Sequence, residues 1–229
     1  MACITYNQQE IILIVHGSNG DDLAVSRCIY CLWPEHFHDR MNRMEPISNL
    51  TDRLLIATPQ LVDSSFSQAV VYMCQHGKEG AMGLIVNRLS DYHLHDLLDQ
   101  LGLSPGQLDN NPPVHLGGPV NTERGFVLHT NEGKWESSLA RGREVTVTSS
   151  KDILKAIIAG HGPQEFLVAL GYAGWSGGQL EQEIADNAWL LAPVSREILF
   201  RAPVEQRWHA AFAAMGVGSW QLSTQAGHS

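Results

Sequence analysis

An α+β fold is predicted for this 229-residue chain: a single compact domain whose sheet is largely antiparallel or mixed, with flanking helices and a poorly integrated N-terminal extension. Three observations predict it. Short apolar runs recur between residues 54 and 191, and most are joined by tight turns rather than crossover helices. Residues 151–159 and 204–215 carry helical patterns that end at Gly160 and Gly216. Composition also shifts near Glu45-Pro46, so residues 1–45 read as an extension without a core of its own and residues 46–229 as the domain.

Within the extension, residues 11–15 (IILIV) form one strand candidate, and Met41 or Met44 offers a native start that would make the preceding segment upstream sequence. In the domain, residues 54–57, 67–74 and 81–87 read as strands. The five residues His76-Gly77-Lys78-Glu79-Gly80 between the last two predict an antiparallel hairpin. Residues 96–101 carry a helical pattern stopped by Gly102, with His93 and His95 as polar groups at its start, and a Pro- and Asn-rich connector comes next. Residues 114–116 and 125–129 are short strands flanking Gly117-Gly118-Pro119-Val120, and residues 145–148 alternate as another. Ser149 or Ser150 caps the helix over 151–159. A strand over 165–170, a helix over 179–186, the run at 188–191 and a last helix over 204–215 complete the chain.

Composition excludes several classes. At 44% hydrophobic, a chain of this length buries roughly 70% of its unfolded surface, so a core needs neither metal nor disulfide. The formal net charge is −9, and the longest basic cluster is the loose Arg141-Gly142-Arg143-Glu144, which argues against backbone-driven DNA binding. No apolar run approaches the ~20 residues of a membrane span, and no basic n-region precedes a secretory core, so the cytosol is the expected location. Cys28-x-x-Cys31 lacks a second pair at zinc-ribbon spacing, and His36 and His38 are two apart; reduced thiols and no metal are expected. Gly160-His161-Gly162 matches half of a dinucleotide fingerprint and precedes a strand, and no Walker sequence occurs, so no cofactor is expected either.

The stretch Leu170-Gly171-Tyr172-Ala173-Gly174-Trp175-Ser176-Gly177-Gly178-Gln179-Leu180-Glu181 is the most site-like part of the chain, joining the strand over 165–170 to the helix over 179–186 through four glycines around Trp175 and Ser176. Gly174-Trp175-Ser176-Gly177-Gly178 fits the nucleophile-elbow pattern, with Asp186 and His209 following in serine-hydrolase order. The same residues fit a capping box, in which the Ser176 hydroxyl satisfies a first-turn amide and Gln179 reaches back. The capping reading is preferred, because the chain beyond Ser176 is too short and too helical for a hydrolase core. Glu181 and Glu183 supply negative charge to the helix dipole, which disfavours a bound anion there.

Three further glycine-bearing pieces, residues 80–88, 115–120 and 124–129, put glycine beside strands, which signals close backbone approach. Read functionally, they and the corner display a shallow recognition surface of Asn87, His115, Gly117, Gly118, Arg124, His129, Trp175, Ser176 and Gln179, with no catalytic residue assigned.

The ordered motifs Leu54-Leu55-Ile56-Ala57-Thr58-Pro59, Asp63-x-x-Phe66, Gly80-Ala81-Met82-Gly83-Leu84-Ile85-Val86-Asn87, Gly117-Gly118-Pro119-Val120, Gly125-Phe126-Val127-Leu128-His129 and the Trp175 segment resemble the YqgE/AlgH family of bacterial proteins. The resemblance covers roughly residues 47–225. It implies a compact α+β domain in the bacterial cytosol and no known activity, since the family is described as uncharacterised, with some members labelled transcriptional regulators. Two function classes stay open: a non-enzymatic regulator or adaptor that contacts a protein or small ligand, without direct nucleic-acid or membrane binding; and a small-molecule hydrolase or transferase using a Ser/His site near Ser176. The environment of the Ser176 hydroxyl discriminates between them.

Overall fold

A computed structural model describes residues 49–61, 65–106, 108 and 110–216 in full, and residues 3–7 and 10–14 as backbone. The readings placed on Cys28, Cys31, His36, His38, Met41, Met44 and Asp63 lie outside these residues. The chain divides into two units, residues 1–47 and 48–229. In the first, β1 (Cys3–Asn7) pairs antiparallel with β2 (Glu10–Ile14), so the single strand candidate at 11–15 has a partner.

In the second unit, β3 (Arg53–Ala57), β4 (Val70–Gly77), β5 (Gly80–Ile85), β6 (Leu89–His93), β7 (Pro113–Leu116), β8 (Val120–Thr130), β9 (Ser138–Arg141), β10 (Val145–Thr148), β11 (Phe166–Ser176) and β12 (Trp189–Pro193) form one sheet. The neighbours run β12-β3-β4-β5-β11-β8-β10-β9, with β7 beside β11 and β6 beside β7. Among the described residues, β7 with β11 is the one parallel pair. This is the predicted α+β fold.

The long strand β11 organises the sheet. Its first half, through Leu170, lies between β8 and β7, and its second half, from Ala173, pairs with β5. The change happens at Gly171, whose φ of +72° is left-handed and whose position marks a register shift between Leu170 and Tyr172. An added Cβ there would meet the Gly118 carbonyl oxygen at 2.4 Å, so only glycine allows both the bend and the backbone approach. The glycine-rich segment is therefore mostly strand, and the predicted turn shrinks to Gly177-Gly178.

Side chains alternating across β8 and β11 divide the interior in two. Phe126, Leu128, Leu167 and Ala169 face an inner cluster with Leu54, Tyr72, Leu84 and Val147, closed by Trp208 and Phe212 of the helix Arg207–Ala214. Trp208 also donates its indole N–H to the Ala57 carbonyl at 2.8 Å. Val127 and Val168 face the other way with Val114, under Leu94 and Leu98 of the helix Leu94–Gln100 and Ile153 and Ile157 of the helix Lys151–Ile158. The sheet curls until β9 approaches β4, where Gln75 Nε2 donates to the Leu139 carbonyl at 3.5 Å. Asp52 fastens the curl by accepting from the Arg143 backbone N–H at 2.9 Å and the Tyr72 hydroxyl at 3.2 Å.

Several boundaries differ from expectation. The β4–β5 pairing runs to Gly77 and Gly80, leaving a two-residue connection rather than five. The strand expected from 67 begins at Val70, after a turn in which Gln68 has a φ of +55°. The helix Leu94–Gln100 begins directly after its N-cap, His93, matching the placement of His93 and His95 at the helix start, although the helical pattern itself runs only from Asp96; Asp96 accepts from the His93 N–H at 2.7 Å. The strand expected over 125–129 is eleven residues long. The last helix is preceded by a 3₁₀ turn, Val204–Gln206, and β6, β9 and a π-type turn at Glu197–Arg201 have no counterpart among the predicted elements.

Candidate functional site

The corner after β11 is built around Glu183. This residue lies one turn into the helix Gln179–Ala185, so its side chain reaches back over the end of β11. The carboxylate accepts from Trp175 Nε1 at 2.9 Å, Trp189 Nε1 at 2.7 Å and Gln179 Nε2 at 2.9 Å. Trp175 and Trp189 are 6% and 2% exposed, and Phe66 packs against both rings, at centroid distances of 6.1 and 5.7 Å. Burying two indoles demands an acceptor for each N–H, and one carboxylate supplies both. Glu183 is thus not chiefly a countercharge for the helix dipole.

Ser176 is part of the same network. Its backbone N–H and its hydroxyl both donate to Gln179 Oε1, at 3.0 and 3.1 Å. Gln179 reaches back as the capping box requires, but the hydroxyl bonds a side chain instead of a first-turn amide. The N-cap is Gly178, left-handed at φ +79°. No imidazole hydrogen bonds Ser176 among the described residues. Asp186 accepts from Gln182 at 3.0 Å, and the His209 ring packs edge-on against Trp208, so the hydrolase-order trio is not assembled. His76 approaches this corner through Glu181: its Nε2 lies 3.1 Å from the carboxylate, an ion-pair distance without hydrogen-bond geometry.

The remaining candidates lie elsewhere. Asn87 ties β5 to the preceding turn, accepting from the Val70 N–H and donating to the Gln68 carbonyl, each at 2.8 Å. Gly117 donates to the Leu170 carbonyl at 2.7 Å and accepts from Ile85 at 2.8 Å, while Gly118 abuts the Tyr172 backbone. His115 is buried with its Nε2 3.2 Å from Arg207 Nη1. Burial, and then the Arg207 guanidinium, push the His115 ring down to about 4. Burial likewise lowers Arg207, to about 10, and its guanidinium is bonded by the Val86 and Ala202 carbonyls. His129, 1% exposed, bonds the Thr130 carbonyl at 2.7 Å and Thr148 Oγ1 at 3.0 Å. Burial lowers its pKa as well. Arg124 is exposed, its guanidinium 5.2 Å from the Phe126 ring centroid.

The nine residues therefore do not form one displayed surface. Trp175, Ser176 and Gln179 share the Glu183 network, whereas His115 and His129 face inward with separate partners. Trp175, His115 and His129 are buried, and the Trp175 and His129 ring nitrogens have internal partners. Glu183, Trp189, Phe66 and Arg207 are absent from the predicted set. Phe66 is visible in the Asp63-x-x-Phe66 motif, but no spacing rule joins Trp189 or Arg207 to its distant partners. The single free cysteine among the described residues, Cys74, is buried with its thiol pushed up to about 12, which leaves it inert.

Residues 54–220 match the AlgH-like family. A UPF0301 protein of Thioalkalivibrio sulfidiphilus is 49% identical over 185 residues, covering 81% of this chain and all of the relative. A UPF0301 protein of Legionella pneumophila is 46% identical over 186 residues, with 81% and 100% covered. The solution structure of the AlgH protein from Pseudomonas aeruginosa superposes with a TM-score of 0.63 at 43% identity, covering 82% of this chain and 99% of that one. A Corynebacterium diphtheriae protein, solved by X-ray crystallography, shares the fold alone, at 19% identity and a TM-score of 0.58 over 78% of this chain and 92% of its own.

Proposed function

The chain belongs to the AlgH-like family, and from that premise we propose that it is a non-enzymatic cytosolic regulator or adaptor, contacting a protein or small ligand. The observation that carries this reading is the commitment of the Ser176 hydroxyl to Gln179 Oε1, within a network anchored on Glu183. A nucleophile needs a base within hydrogen-bond reach of its oxygen, and the side chain bonded to this one is an amide that cannot take a proton at neutral pH. The acidic balance of the chain adds that any effect on transcription runs through a partner rather than through phosphate contacts. No helix among the described residues is long and apolar enough to cross a membrane.

The test is exposure of the purified chain to a fluorophosphonate probe, read by intact mass. No adduct is expected. An adduct at Ser176 that disappears in Ser176→Ala would establish the hydrolase reading instead. In parallel, gel shifts at rising salt should show no retained DNA complex; a complex that weakens steeply with salt would replace the indirect mode by direct phosphate binding.

A further inference from the structure

One pocket lies away from the Trp175 corner, between the end of β8, the loop after it and the β9–β10 hairpin. Its volume is about 230 Å³, and Lys134, Trp135, Ser138, Arg141, Thr146 and His129 are on its wall. Gly133, which completes the lining, has a φ of +81° and lets the loop fold onto the Trp135 ring, where an added Cβ would come within 2.6 Å of the indole.

The wall is unusual for a chain of formal charge −9: it contains two cations and no carboxylate. Neither Lys134 nor Arg141 is ion-paired among the described residues, whereas Arg196 and Arg201 both bind Glu165. The Trp135 ring is part of the wall, but its indole N–H, which has no hydrogen-bond partner, is sealed from solvent and does not open onto the pocket. The other wall groups are spoken for. Thr146 gives its hydroxyl hydrogen to Asn131 Oδ1 at 2.6 Å. His129 places its proton on Nδ1, toward the Thr130 carbonyl, and accepts from Thr148 at Nε2, so the ring is a neutral wall. Ser138 meets Thr148 Oγ1 at 3.4 Å and, with the Thr148 hydrogen on His129, is the donor of that contact.

We propose that this pocket binds a phosphoryl group, as inorganic phosphate or on a small phosphomonoester, with Lys134 and Arg141 as its charged donors and the Trp135 ring as its wall. Two charged donors beside a volume worth roughly eight waters, at ~30 Å³ each, suit a tetrahedral dianion with a small substituent. A drug-sized ligand needs more room, from about 300 Å³ upward. Arg141, from the basic stretch Arg141-Gly142-Arg143, thereby acquires a use at a single anion. The site shares no residue with the Ser176 corner and stands whether or not the regulator reading does.

The test titrates the full ¹⁵N-labelled chain with sodium phosphate and, separately, with glycerol 3-phosphate at fixed ionic strength, following the indole N–H resonances of the six tryptophans. One resonance, absent from Trp135→Phe, should move and saturate at millimolar ligand or below. Lys134→Gln and Arg141→Gln should each weaken binding about tenfold or more, with unchanged melting temperature, and Lys78→Gln should bind as wild type. Tighter binding of glycerol 3-phosphate would assign a metabolite, and tighter binding of inorganic phosphate the free anion. Saturation by neither ligand, equal binding by the glutamine variants, or the same shift with sodium chloride alone would each overturn the site.

Discussion

Glu183 shows how one side chain holds a corner. Glu183→Ala would leave two buried indole donors without acceptors, at roughly 1–3 kcal/mol for each. A loss of about 3 kcal/mol or more in urea unfolding is expected, against about 1 kcal/mol for Ser176→Ala, whose side chain is exposed. Equal effects would mean that the carboxylate does not anchor the two rings. His115 carries the clearest pH signature. Its ring protonates at about 4 in the folded chain, against an ordinary 6.5, so below pH 6.5 the unfolded chain takes the proton first. Stability present in full above 6.5 is lost as pH falls toward 4 and levels off beneath it, a difference of about 3 kcal/mol. His115→Gln abolishes that component. The stability gap between wild type and variant should therefore shrink by about this amount between pH 7 and pH 4, and a gap that stays constant would show that the ring is not held neutral. The residue types at these positions are legible in the sequence, but their partners are not. His115 and Arg207 are 92 residues apart, and no periodicity encodes such a pair.

At the scale of an element, β11 explains why a glycine-rich strand reads as a turn. Glycine lowers strand propensity, and four of them beside Trp175 and Ser176 look like a loop to any local rule. Their roles differ. Gly171→Ala forces a side chain into left-handed backbone and against the Gly118 carbonyl, and should cost about 2 kcal/mol or more. Gly174→Ala meets only the Tyr172 ring at 3.4 Å and the Val120 side chain beyond it, ordinary contacts, and should change stability by less than about 1 kcal/mol. Guanidinium unfolding of the two variants decides the matter, and equal losses would refute the bend at Gly171. By contrast, short apolar runs with flanking turn residues mark β3 and β7, and alternation marks β10, nearly to their ends. β6 and β9 escape because their patterns are mixed: β6 (LSDYH) has no fully buried residue and β9 (SLAR) has one.

For the whole molecule, closure of the curled sheet rests on contacts that join distant parts of the chain. Asp52, at φ +61°, accepts from Arg143, 91 residues away, and from Tyr72. Asn tolerates that backbone but offers one acceptor oxygen instead of two, so Asp52→Asn should lose about 1 kcal/mol and speed amide exchange at Arg143. Unchanged exchange there would mean that the hairpin is held by its own pairing alone. Strand and helix periodicity and turn chemistry belong to neighbouring residues, so the sequence by itself determined the α+β class, most of the elements and the family. Which side chains meet is settled by the order of strands and the curl of the sheet. Tertiary structure alone therefore turned Trp175, His115 and His129 inward, gave the Ser176 hydroxyl to Gln179, and set Lys134, Trp135 and Arg141 around one pocket, because burial and partnership depend on distances in space that no local pattern carries.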